Sequence, residues 1–385
     1  METENQPSPS QEPSVASAAA AEPGCEPAAT PLREQERHDF DWFLIGPQGL
    51  RAGWSILLFT ALYYVFRMVV GILFFTFGLV SENSGISAAS VLVGEMIPLL
   101  ALVGAAAIMS AIEGRHISSY NLAGPHRPRR FFAGIAAGFA ALSLLVGILA
   151  WGGWLHFGAP ALAGPQAFRL AVLWGCAFLV VASVEEGLFR CYALFTLARG
   201  INFWWAMAVE AAMCLFLAVF SHRQGAWGVY AGAALGFFPC LILHQKSASR
   251  SAFWQAAWVT STVFGFYHTG NYGENWIGIL AAEFIGLAFC VSVRVTGSAL
   301  WAIGCHAAWD WAETFFYGTA DSGLTAPGHF LTANPVGNPL LSGGADGPEG
   351  SVLVLGVILL LLALLALYGR KSARARLTPA EQVEA

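Results

Sequence analysis

Long apolar runs recur from Trp54 onward, each near the roughly 20 residues that a helix needs to cross a hydrocarbon layer of about 30 Å. No water reaches the backbone at that depth, so a spanning segment must satisfy its own hydrogen bonds, as a helix does. The runs fall at 54–80, 88–112, 131–152, 169–198, 203–220, 226–244, 253–270, 276–294, 298–316 and 351–369. They predict an all-α, multi-pass membrane bundle of about ten helices over residues 54–369. Composition agrees: 56% of the 385 residues are hydrophobic and 11% charged, against about 25% in soluble domains, which excludes a water-soluble globular enzyme.

The formal charge of −5 belongs to the leading segment, because residues 1–41 hold nine of the 24 acidic groups and two of the 19 basic ones. The remainder is nearly balanced, and no nucleic-acid-binding surface is implied. Residues 1–40, rich in Pro, Ala, Glu, Ser and Gln, are expected to be a disordered cytoplasmic tail. They do not read as a secretory signal, since the first basic residue is Arg33. Seven scattered cysteines without a C-x-x-C pair read as small buried hydrophobes.

Lys and Arg mark the cytoplasmic side. Arg115, Arg127, Arg129 and Arg130 share one loop, followed on the same side by Arg199, by Lys246 and Arg250, by Arg294, and by a basic tail at 370–385. The connections 153–168 and 318–351 contain no Lys or Arg. With Arg223 as the main exception, this places both termini in the cytoplasm.

A charge at mid-bilayer costs at least about 2.5 to 3.5 kcal/mol on insertion scales. In the densest group, Glu185-Glu186-Gly187-Leu188-Phe189-Arg190, Glu186 and Arg190 stand at i and i+4 and neutralise each other. Glu185 points elsewhere without a local partner, as a general base would. A second group runs from Phe264 to His268 beside a polar, Gly-containing turn. In the third, His306 and Asp310 project together at i and i+4, able to orient a proton donor, hold a metal or form a buried hydrogen bond. Helical rise puts Glu185, His268 and His306 at depths of roughly 21, 27 and 18 Å, so one shared cavity is allowed. Arg67 and Glu95 read as an ion pair between the first two spans, and the turn-rich stretch 343–350 as a connector.

These residues resemble the CPBP family of intramembrane proteases, which includes the CAAX prenyl endopeptidases and the bacterial Abi proteins. Its pattern, E-E-x-x-x-R, then F-x-x-x-H, then H-x-x-x-N or D, is met in order by Glu185-Glu186 with Arg190, Phe264 with His268, and His306 with Asp310. The resemblance covers a protease-like core of about 170–316. It implies peptide-bond hydrolysis in the cell membrane: Glu185 as general base, His268 positioning water or a metal, and His306 with Asp310 stabilising the oxyanion. Glu186 and Arg190 would support the site. The cofactor stays open, a divalent metal such as zinc being one option with Glu185, His268 and His306 as its candidate ligands. The implied partners are the bilayer and a membrane-associated or lipidated peptide or protein, CAAX-type or a bacterial equivalent, and no nucleic acid. Two departures stand out: the extra segments 203–220 and 226–244, and Cys191 where the family usually has glycine. Competing readings are a non-catalytic membrane scaffold or immunity protein, and an ion-coupled transporter, the latter weakened by the lack of a clear inverted repeat.

Overall fold

The computed structural model describes residues 41–80, 85–124, 126–220, 248–271 and 273–374. The chain divides into Met1–Phe43 and Leu44–Ala385, and the second unit holds the bundle. Its long helices are α1 (Ala52–Thr76), α2 (Ala88–Ile112), α3 (Arg127–Trp151), α4 (Gly164–Glu186), α5 (Leu194–Gly200), α6 (Phe203–Phe220), α7 (Ala248–Tyr267), α8 (Trp276–Thr296), α9 (Leu300–Trp311) and α10 (Leu353–Arg374). A helical segment thus stands at every predicted span except 226–244, which lies outside the described residues, as does the tail 1–40. Helix α10 runs on through Arg370 and Lys371 to Arg374.

Among the described residues, six segments are long and apolar enough to cross a membrane: α1, α2, α3, the continuous stretch from α4 through α5, α8, and α10 to Lys371. The fold is therefore an all-α, multi-pass membrane bundle. Helix α7, which leads into His268, and α9, which carries His306, are not among the six. Their interior faces are polar instead: Gln255, Thr260, Ser261 and Thr262 are buried on α7, and Asp310 on α9. α8 is the most enclosed of the six, with 67% of its most apolar window buried against 11% for α1. Leu57, Met68, Ile72 and Phe75 of α1 are exposed, as suits a helix that meets lipid tails.

Two interruptions shape the site. The long α4–α5 stretch passes through a π-helical segment at Gly187–Ala193, directly after the glutamate pair. A second, Ala312–Tyr317, follows α9 directly after Asp310 and Trp311. Such widened turns often mark functional positions.

Helix α9 is held by close backbone approach to α3. A Cβ at Gly134 would collide with the Trp301 carbonyl, one at Gly138 with the Cys305 carbonyl, and one at Gly304 with the Phe131 carbonyl. Small residues four apart allow helices to pack this tightly in lipid. The turn from α8 to α9 passes through Gly297 at φ +73°, a conformation that suits glycine.

The two connections free of Lys and Arg meet on one face of the bundle. Leu155–Phe157 (β1) and Ala333–Pro335 (β2) pair antiparallel, with His156 opposite Asn334. Of the cysteines, Cys191, Cys290 and Cys305 are buried and free, whereas Cys176 is exposed.

Candidate active site

The glutamate pair ends α4, and the π-helical segment turns Arg190 back into the protein. Glu186 and Arg190 are both fully buried, and Arg190 Nη1 donates to Glu186 Oε1 at 3.3 Å. The guanidinium lies 4.1 Å from the centre of the Phe264 ring, 5.4 Å from that of Phe289 and 5.7 Å from that of Phe189. The π faces of these rings attract a cation that water does not reach. Gly286 leaves room for it, since a Cβ there would overlap Arg190 Nη2. The Arg190 carbonyl accepts from Asn121 Nδ2 at 2.8 Å. Phe264 and Phe289 wall this centre, and Trp174, Trp301 and Trp309 are buried.

His306 joins the first and third groups. Its Nδ1 donates to Glu186 Oε1 at 3.0 Å, the same oxygen that Arg190 reaches. Its Nε2 faces Asp310 Oδ2 at 3.4 Å and Glu185 Oε2 at 3.8 Å. The ring stacks on Phe289 with centroids 5.7 Å apart. Glu185 is the open member of the pair: its side chain is 19% exposed against 0% for Glu186, and its Oε2 has no hydrogen-bond partner.

His268 follows the last turn of α7. Its Nδ1 lies 2.8 Å from the Phe264 carbonyl, which can only accept, so Nδ1 carries the hydrogen and Nε2 offers a lone pair. The Phe264 ring meets His268 edge-on at 4.8 Å. Phe264 therefore fixes His268 through its carbonyl and Arg190 through its ring.

A cavity of about 500 Å³ is lined by Glu185, His268, His306 and Asp310 together. The predicted catalytic candidates thus share one chamber, with Glu186 and Arg190 packed behind it. The chamber wall also includes Glu95, Thr314, Asp321 and Glu349. Glu95 was expected to pair with Arg67, but among the described residues no ion pair joins them, and Glu95 faces the cavity instead. Asp321 and Glu349 were missed because they lie between predicted spans, where a carboxylate carries no signal of cost. The stretch 343–350 is consequently more than a connector, since it delivers Glu349 to this wall.

The expected metal ligands do not converge in this arrangement. Glu185, His268 and His306 do not form a group with three ligand atoms within 4.8 Å of one another, and both nitrogens of His306 already face carboxylates. Among the described residues the trio that meets that distance is Glu313, Asp321 and Glu349.

Residues 241–312 match the family described as Rce1-like, type II CAAX prenyl endopeptidase Rce1-like. The match takes in Phe264, His268, His306 and Asp310 and supports assignment to the CPBP and CAAX protease family. No curated protein and no solved structure matches the chain.

Proposed function

We propose that this chain, a CAAX-type protease by family, is an intramembrane endopeptidase that hydrolyses a peptide bond in a membrane-associated substrate, with Glu185 as general base. The observation that carries the reading is the single cavity lined by Glu185, His268, His306 and Asp310. The family match supports it for the last three, and the hydrogen bond from His306 to Glu186 ties the glutamate pair to them.

In this reading a water molecule sits between Glu185 and His268. Glu185 Oε2, unclaimed by any other donor, takes its proton as the water oxygen attacks the scissile carbonyl carbon. His268 Nε2 accepts a hydrogen bond from the other O–H of that water and so turns the oxygen's lone pair toward the carbonyl. His306, held between Glu186 and Asp310, donates to the carbonyl oxygen as negative charge develops there. Glu185 then returns its proton to the departing amine, which balances the step. Arg190 touches no reacting atom; it holds Glu186, which in turn orients His306. The apolar part of the wall, including Phe178, Val181, Ile285 and Ile358, suits a lipidated or apolar peptide segment entering from the bilayer.

The test is cleavage of membrane-anchored and prenylated peptides by the purified protein in lipid, comparing wild type with Glu185→Gln. Cleavage by the wild type and its loss in the variant is the expected result. Undiminished cleavage of a confirmed substrate by Glu185→Gln would remove Glu185 from the role.

A further inference from the structure

Beside the cavity, Glu313, Asp321 and Glu349 each bring a carboxylate oxygen within 4.8 Å of the other two. Glu313 comes from the π-helical segment after α9, Asp321 from the loop beyond it, and Glu349 from the short turn Pro348–Gly350 before α10. Three ionised carboxylates at this spacing would repel strongly in a water-poor interior without a cation between them. The chain provides no Lys or Arg between Arg294 and Arg370 to offset them.

The available donors have been used without closing the centre. Trp309 Nε1 donates to Glu313 Oε2 at 3.0 Å and to Glu349 Oε1 at 2.7 Å. Thr314 Oγ1 donates to Asp321 Oδ2 at 2.9 Å, and Ser322 Oγ to Glu349 Oε2 at 3.4 Å. Glu313 is 0% exposed, and its Oε1 has no hydrogen-bond partner at all. A wholly buried carboxylate oxygen left open beside two further carboxylates, at a spacing that fits ligands of one ion, points to a cation. Asp321, Ser322 and Glu349 also line the cavity, which gives an ion a route in.

We propose that Glu313, Asp321 and Glu349 bind a hard divalent cation of the calcium class, pinning the connection between α9 and α10 to the rim of the cavity. The donors are all oxygen, which disfavours zinc and suits calcium or magnesium. Supply from a helical segment, a loop and a short turn, with hydroxyls and water to complete the shell, favours the larger ion over one that demands strict octahedral geometry. The ion takes no part in the water-activating chemistry proposed above. Its role is to order the loop that walls the chamber.

The experiment uses the full chain, purified in lipid and stripped with a chelator, with terbium(III) as a luminescent probe excited through tryptophan. Trp309 bonds two of the three carboxylates, so terbium bound here should show a saturable, sensitised signal that calcium displaces and that Trp309→Phe removes. Equilibrium dialysis with radioactive calcium should give one ion per chain, with affinity lowered about tenfold or more in Glu313→Gln and in Asp321→Asn, because ligand charge sets affinity. Glu185→Gln should bind the ion as the wild type does, which separates this site from the proposed protease centre. Asp321→Asn, a change in a loop, keeps the test informative where Glu313→Gln does not fold. No saturable calcium binding by the folded wild type overturns the proposal, as does unchanged affinity in Asp321→Asn.

Discussion

Glu186 and His306 stand 120 positions apart in sequence and are joined by a hydrogen bond of 3.0 Å, made by the same Glu186 oxygen that pairs with Arg190. One buried oxygen thus couples the helix of the glutamate pair to the helix of the third motif. Glu186→Gln should leave Arg190 buried without its anion and cost about 3–5 kcal/mol of stability. Glu185→Gln removes a group that faces the cavity and holds no hydrogen bond at Oε2, so its unfolding temperature should stay near that of the wild type. Cleavage should fall in both, by roughly 10²- to 10⁴-fold for Glu185→Gln. Thermal unfolding in one detergent separates the two, and equal unfolding temperatures for Glu186→Gln and wild type would contradict the coupling.

Gly286 is required by its neighbour and not by its backbone. A Cβ there meets Arg190 Nη2, Phe264 and Ser261, so Gly286→Ala should drive the guanidinium off the Phe264 ring. Overpacking of this kind costs about 1–3 kcal/mol. Cleavage should fall with stability, since Arg190 holds Glu186 and through it His306. A variant with wild-type unfolding and turnover would show that the cage has slack.

The i, i+4 spacings of Glu186 with Arg190 and of His306 with Asp310 were legible in the sequence because both pairs lie on one helix and helical geometry settles which side chains meet. The contact of Glu186 with His306 was not, because it joins α4 to α9, and the placement of α9 depends on Gly134, Gly138 and Gly304 packing it against the backbone of α3. Phe264 could be read as a motif letter, while its two functions, a carbonyl for His268 and a ring for Arg190, belong to three-dimensional placement. Glu313 falls within the predicted span 298–316, but its partners Asp321 and Glu349 sit in connections, where charge is ordinary until a fold buries it. The π-helical segments at Gly187–Ala193 and Ala312–Tyr317 left no trace in hydropathy, which reads the residues on either side of a widened turn as one continuous run.

The hydrogen bond from His268 Nδ1 to the Phe264 carbonyl assigns the work at this residue to Nε2. Asparagine can reproduce the inner nitrogen and glutamine reaches closer to the outer one. His268→Asn should therefore keep the bond to Phe264 and lose cleavage by on the order of 10²- to 10⁴-fold, with His268→Gln falling between it and the wild type. Steady-state cleavage of one peptide by the three proteins decides this, and greater activity in the asparagine variant would assign the function to Nδ1.

Glu274 and Asp346 face each other around Gly278, where an added Cβ would touch both carboxyls. Both lie in connections outside the spans. Burial, reinforced by the charge of Asp346, pushes Glu274 up to about 9. Burial likewise raises Asp346 to about 7, against the bond it accepts from the Asn275 amide at 3.2 Å. Unfolded carboxyls titrate near pH 4, so the folded chain retains protons there that the unfolded chain releases. The stability held by these protonated carboxyls is complete below about pH 4 and is lost as pH rises through about 7 and then 9. The unfolding temperature should accordingly fall from about pH 5 to 9, with a slope of up to about 1.4 kcal/mol per pH unit for each group. Asp346→Asn, which keeps an acceptor for the Asn275 amide and removes the charge, should flatten the decline. Thermal unfolding across that range, run on wild type and variant in one buffer series, tests the pair. If the wild type is flat or gains stability toward alkaline pH, or if Asp346→Asn declines as steeply, these carboxyls are not protonated in the folded chain.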